Sequence, residues 1–177
     1  MKKFIFMIGI TGVGKSTIGR ILAEQLKLQF FDLDKQIEES CNLSVQSIFE
    51  TEGESKFRER ESIELQKICF NNDNNIVVSV GGGCILDSEN RKLISNHIAV
   101  QLTANVEVLC VRVSNLPNKR PLLNNTDVKT KLIELQSIRN HLYDEISNYK
   151  VDTSNLTKKQ VINRIMKFLR KINYLDK

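Results

Sequence analysis

Short runs of consecutive apolar residues alternate along the chain with longer stretches in which apolar residues recur every three or four positions. Phe4-Ile5-Phe6-Met7-Ile8 is a continuous apolar run, the pattern of a strand buried on both faces of a parallel sheet. Further short strands are predicted at 30–33, 76–80 and 98–102, with a fifth at 149–152. Ile18, Ile21, Leu22 and Leu26 recur at helical spacing after the first strand. More helices are predicted at 34–40, at 44–70 with a break near Gly53, and at 87–95, 105–113, 127–147 and 157–172. Strands separated by helices call for right-handed crossovers, so the pattern predicts an α/β fold, with helices on both faces of a five-stranded parallel sheet. No repeat or linker divides the chain, and a single domain over residues 1–177 is expected. Such sheets bind ligands at the carboxyl ends of their strands. Polar and glycine-rich chemistry should therefore follow the strands.

It does so after the first. Gly9-Ile10-Thr11-Gly12-Val13-Gly14-Lys15-Ser16 matches G-x-x-x-x-G-K-[ST] between a predicted strand and a predicted helix. Such a loop turns backbone N–H groups onto phosphate oxygens, and the helix adds its positive end. Lys15 then reaches the outer phosphates and the Ser16 hydroxyl ligates magnesium. Gly19 falls inside the following helix, where glycine costs about 1 kcal/mol relative to alanine. Either close packing on the sheet or a tolerated defect accounts for it.

Asp32-Leu33-Asp34 closes the second strand. Alternation along an extended chain would turn both carboxylates to one side and Leu33 to the other. Two acids facing a phosphate site repel unless a cation or proton lies between them, which fits magnesium on Asp32 and an acceptor hydroxyl on Asp34. An ordinary strand-to-helix junction with Asp34 as cap is the competing interpretation. The third strand ends without an aspartate, in Gly81-Gly82-Gly83, where the backbone can approach a ligand closely.

Arg58 stands between Glu54 and Glu61 at helical spacings, and by itself that segment reads as a salt-bridged solvated face. Arg139 differs. It occupies the apolar stripe of Leu132, Leu135, Leu142 and Ile146, so it should face inward and needs an anion, from a protein carboxylate or a substrate. The stretch 114–127 lacks periodicity and carries Lys119, Arg120 and both prolines, Pro117 and Pro121. A loop of that length in a compact domain fits a functional lid that brings Arg120 onto a transferred phosphoryl group.

Composition narrows the function classes. With 41% apolar and 27% charged residues, the chain is of globular type, and 8 glycines and 2 prolines exclude collagen-like and linker-rich classes. The first apolar run is about a quarter of a membrane span and lacks a signal-peptide cleavage site, so no membrane association and a cytoplasmic location are expected. Cys41, Cys69, Cys84 and Cys110 form no C-x-x-C pair and read as reduced packing thiols. The net charge of +5 fits nucleic acid or small anionic substrates. Thinly spread lysines, no tryptophan, and a basic 158–171 stretch interleaved with apolar residues favour the latter. A guanine-reading switch would need Asn-Lys-x-Asp, and Asn118-Lys119-Arg120-Pro121 lacks the aspartate.

The ordered set is more specific than any one motif. Gly12-x-Gly14-Lys15-Ser16-Thr17, Asp32-x-Asp34, Phe49 with Gly53-Glu54-x-x-Phe57-Arg58-x-x-Glu61, the Gly81–Gly83 triplet, Arg120-Pro121-Leu122-Leu123, and Arg139 four residues before Tyr143 make the chain resemble the shikimate kinase family from Phe4 to about Leu169. The resemblance implies a P-loop NTPase fold of the nucleoside-monophosphate-kinase type with a mobile lid. It also implies ATP-dependent phosphorylation of the 3-hydroxyl of shikimate, in aromatic amino acid biosynthesis, by a monomer with Mg2+ as cofactor. By the same resemblance Gly12, Val13, Gly14, Lys15, Ser16, Thr17, Arg112 and Arg120 bind the nucleotide, and Ser16 and Asp32 hold the metal. Asp34, Arg58, Gly81, Gly82, Gly83 and Arg139 bind shikimate, the two arginines at its carboxylate. Lys15, Asp34 and Arg120 are the catalytic residues. The chain departs from the family pattern in a lid spacing from Arg112 to Arg120 one residue longer, and in Ser154-Asn155 after Thr153, where no arginine follows.

Overall fold

A computed structural model describes residues 3–115 and 127–175. Five parallel strands form one sheet in the order β2-β3-β1-β4-β5: β1 (Ile5–Ile8), β2 (Gln29–Asp32), β3 (Ile76–Ser79), β4 (Ile98–Thr103) and β5 (Tyr149–Asp152). The helices between them are α1 (Lys15–Leu26), α2 (Leu33–Cys41), α3 (Val45–Thr51), α4 (Gly53–Asn71), α5 (Ser88–Ser95), α6 (Val106–Ser114), α7 (Val128–Ile146) and α8 (Lys158–Lys171). A short 3-10 turn, Cys84–Leu86, follows β3.

Alternation along β1 divides the interior into two cores. Ile5 and Met7 join one cluster with Ile18 and Leu22 of α1, Leu109 of α6, and Ile165 and Leu169 of α8. Phe6 and Ile8 join the other, with Ile37 of α2, Ile48 of α3, Leu65 of α4 and Ile94 of α5. The result is the expected three-layer α/β/α arrangement, in which each fully buried aliphatic side chain contributes about 1.5–3 kcal/mol. Helix α7 bridges the two, because Leu132 and Leu135 pack in the first cluster and Tyr143 and Ile146 in the second. Arg139 lies at the changeover.

The predicted elements reappear within one or two residues, with one consequential shift. The second strand ends at Asp32, and Leu33 opens α2. Its side chain is fully buried in the second core, and burying it as the first turn of a helix bends the chain one residue earlier than strand alternation predicts. The glycine inside α1 is explained by packing: a Cβ at Gly19 would stand 2.8 Å from Phe30 Cε2 and 3.1 Å from Met7 Cγ. No helix among the described residues is long and apolar enough to cross a membrane.

Candidate active site

The phosphate loop leaves β1 at Gly9, whose φ is +132°. A side chain there would collide with the Leu102 carbonyl oxygen of the neighbouring strand, so only glycine allows the chain to turn off the sheet. Gly14 caps α1 in the left-handed conformation, and the first turn of α1 carries no acidic residue. The positive end of a twelve-residue helix therefore faces the cleft without a protein anion in its own first turn. Lys15 Nζ donates to the carbonyls of Gly9 (2.9 Å) and Ile10 (3.1 Å), which places the ammonium inside the curl of the loop. The side chain of Val13 is buried in the core, leaving only its backbone for a ligand, whereas Gly12, Gly14, Ser16 and Thr17 line the cleft.

Both aspartates line the same cleft, though not through strand alternation. Asp32 is the N-cap residue of α2 and Asp34 sits in its first helical turn, so the strand-to-helix corner brings them together. Asp32 is in register with Ser79 of β3, and Ser79 Oγ lies 3.3 Å from Ser16 Oγ. A hydroxyl thus occupies the strand end where an acid was absent from the sequence.

The glycine triplet is shaped by the charged side chains pressed on it. A Cβ at Gly81 would strike Glu61 Oε1 and come within 3.0 Å of Asp34 Oδ1, and one at Gly83 would fall into the Arg58 guanidinium. Gly82 offers its carbonyl instead. Arg139 Nη1 donates to it at 3.1 Å, and the Tyr143 hydroxyl donates to the same oxygen. Burial pushes the Tyr143 phenol above its ordinary range, so it remains a donor.

The two arginines meet different surroundings. Arg58 is paired twice, to Glu61 Oε2 at 2.7 Å and to Glu54 Oε1 at 2.9 Å. Rather than a solvated face, it lines the cleft with its side chain 22% exposed. Glu61 is completely buried. Burial pushes its carboxyl up to about 7 against the pull of Arg58, and Asp34 adds to the rise. Arg139 is 6% exposed and has no carboxylate ion pair among the described residues; its buried Nε has no hydrogen-bond partner there. Burial lowers its pKa while Tyr143 opposes the change. A guanidinium buried in this way calls for an anionic partner.

Arg112 also lines the cleft and is fastened by Thr153, with Nη1 to Oγ1 and Nη2 to the carbonyl oxygen, both at 2.8 Å. Arg120 and the interior of the predicted lid, 116–126, lie outside the described residues; Ser114 ends α6, and Asp127 caps α7 by accepting from the N–H groups of Lys129 and Thr130. Apolar walls come from Val45, Phe49, Phe57 and Leu135, the Phe49 and Phe57 rings standing 4.8 Å apart.

Sequence reasoning missed Ser79, Thr11 and the burial of Glu61. Glu61 was visible as a partner of Arg58 at i+3 and as a motif residue, but no local pattern distinguishes a buried carboxylate from a solvated one there. Tyr143 was visible as a motif residue, but its bond to Gly82 spans 61 positions.

A phosphate loop at the end of the central strand, two acids at the next corner, and the buried Arg139 and partly buried Arg58 lining the same cleft define a P-loop kinase for a small anionic acceptor. The sequence model of the family described as shikimate kinase matches residues 11–170. The shikimate kinase of Francisella tularensis subsp. holarctica is 44% identical over 168 residues, 94% of each chain. That of Pelotomaculum thermopropionicum is 38% identical over 98% of this chain and 99% of its own. Among solved structures, shikimate kinase from Acinetobacter baumannii in complex with shikimate superposes with a TM-score of 0.89 at 32% identity, covering 97% of this chain and 94% of that one. The chain belongs to the shikimate kinase family, and its activity is the ATP-dependent phosphorylation of shikimate.

Proposed function

We propose that the protein transfers the γ-phosphoryl group of magnesium-bound ATP to the 3-hydroxyl of shikimate, using the cleft residues in the following roles. Arg58 and Arg139 grip the shikimate carboxylate, and the Gly81–Gly83 backbone supports the ring against Phe49 and Phe57. Asp34 orients the 3-hydroxyl and accepts its proton as the oxygen attacks phosphorus. Backbone N–H groups from Gly12 to Thr17 cradle the phosphates, and Lys15 exchanges the carbonyls of Gly9 and Ile10 for phosphate oxygens. Arg112 borders the nucleotide end. Arg120, outside the described residues, is assigned to the transferred phosphoryl group. Positioning and charge stabilisation carry the acceleration, as phosphoryl transfer asks little covalent chemistry of the protein.

Magnesium fits the donors present. Ser16 and Asp32 supply hard oxygen ligands, Ser79 lies 3.3 Å from Ser16 as a further hydroxyl, and Mg2+ characteristically retains several waters. When bound, the ion neutralises charge on the phosphate oxygens.

The observation that carries the substrate assignment is the buried Arg139 guanidinium without a carboxylate ion pair among the described residues. A monomeric, single-domain enzyme over residues 1–177 completes the proposal. Four cysteines spread singly along the chain, with no C-x-x-C pair, fit a reducing, cytoplasmic location. The test is a coupled ADP-release assay with magnesium-ATP. Shikimate-dependent turnover is expected; equal ADP release with and without shikimate would refute the assignment.

A further inference from the structure

We propose that the Thr11 hydroxyl binds the acceptor substrate, so that the phosphate loop supplies a contact to the shikimate half of the cleft as well as to the nucleotide. The inference rests on the substrate placement given above. Thr11 lines the cleft, yet its Oγ1 is buried and has no hydrogen-bond partner among the described residues. Its loop position precedes Gly12, away from the helix end where Lys15 and Ser16 serve phosphates. The Thr11 backbone nitrogen instead abuts the glycine turn: a Cβ at Gly82 would stand 3.4 Å from it and 3.6 Å from Tyr143 Oη. The carbonyl of that same turn fixes Arg139.

Among the described residues two other buried polar atoms without a hydrogen-bond partner, Arg139 Nε and Glu61 Oε1, belong to residues lining this cleft, and two more, Arg91 Nε and Gln101 Oε1, lie elsewhere. Buried polar groups in folded proteins are as a rule paired, and one that the protein leaves unpaired calls for a partner from outside it. A hydroxyl in this position forfeits the bonds it made to water in the unfolded chain, and an acceptor oxygen on the Arg139 side restores one.

Thr11→Val keeps the shape and removes only the hydroxyl. Its shikimate Kd, measured by calorimetry without nucleotide, should rise about ten-fold, the worth of one hydrogen bond to a ligand, while its ATP KM changes little. Thr11→Ser, which restores the hydroxyl, should recover most of the lost affinity. An unchanged shikimate Kd in Thr11→Val would overturn the proposal. So would an ATP KM rising by the same factor as the shikimate Kd, the signature of a distorted loop. Failure of the underlying function is a separate result, seen in the unsubstituted protein as ADP release indifferent to shikimate.

Discussion

The Arg58 guanidinium lies over Gly83 so closely that a single methyl group on that glycine would fall inside it. Gly82, its neighbour, has ordinary room, with the nearest atoms at 3.4 and 3.6 Å. Gly83→Ala should therefore displace Arg58 and raise the shikimate KM about 10- to 100-fold, the cost of misplacing a positioning group by about an ångström. Gly82→Ala should have a much smaller effect. Steady-state kinetics on the two variants checks the ordering, and equal effects would contradict it.

Glu61 links the site to stability. Its folded pKa, about 7, lies above the unfolded value, so the folded state binds the proton more tightly. The associated stability is fully present below about pH 4.5 and is lost as pH rises through 7, amounting to roughly 3 kcal/mol across that window. Glu61→Gln abolishes the titration. The stability of the unsubstituted protein relative to Glu61→Gln should fall between pH 5 and pH 8 in urea unfolding. The lowered carboxylates Glu59, Glu107, Asp127, Asp144 and Asp152 titrate below this range and cancel in the difference. A constant difference would show that Glu61 stays ionised throughout.

Arg139 sets function against stability. Arg139→Met removes a buried charge whose Nε is unpaired among the described residues, and the Gly82 carbonyl keeps its bond from Tyr143. The ligand-free protein should gain about 1–3 kcal/mol, since the variant buries no unpaired donor. The shikimate KM should rise by roughly 30-fold or more, in line with about 2–5 kcal/mol for truncating one partner of a buried charge pair. Thermal unfolding without ligand and initial rates test the two halves separately. An unchanged shikimate KM would remove Arg139 from the site.

Gly19 offers a packing test remote from the chemistry. Alanine would gain about 1 kcal/mol of helix propensity, yet its methyl would stand 2.8 Å from Phe30 Cε2 and 3.1 Å from Met7 Cγ. Overpacking typically costs about 1–3 kcal/mol, so Gly19→Ala should be net destabilising in urea unfolding. A more stable variant would make this glycine a tolerated defect.

Much of the site was legible because its residues lie in short segments directly after strands. Gly9 to Ser16, Asp32, Asp34 and Gly81 to Gly83 all follow this rule, and the strands themselves are announced by apolar runs. Arg139 was legible as a charge in an apolar helical stripe. Arg58 was not, because its i+3 and i+4 acids are the same whether the face is solvated or turned into a cleft. Asp34 lines the cleft, but not through strand alternation, since Leu33 is buried as a helical residue rather than as the end of a strand.

Local chemistry thus determined the order of strands and helices, the phosphate loop and the identity of the charged residues, because hydrophobic period and glycine placement act over a few residues. Only the tertiary structure decided which charges are buried and what they meet. The path of α7 from one core to the other leaves Arg139 under the Gly82 carbonyl, and the packing of α4 puts Glu61 out of reach of water. Desolvation depends on every element that closes over a group, and no single stretch of sequence carries that information.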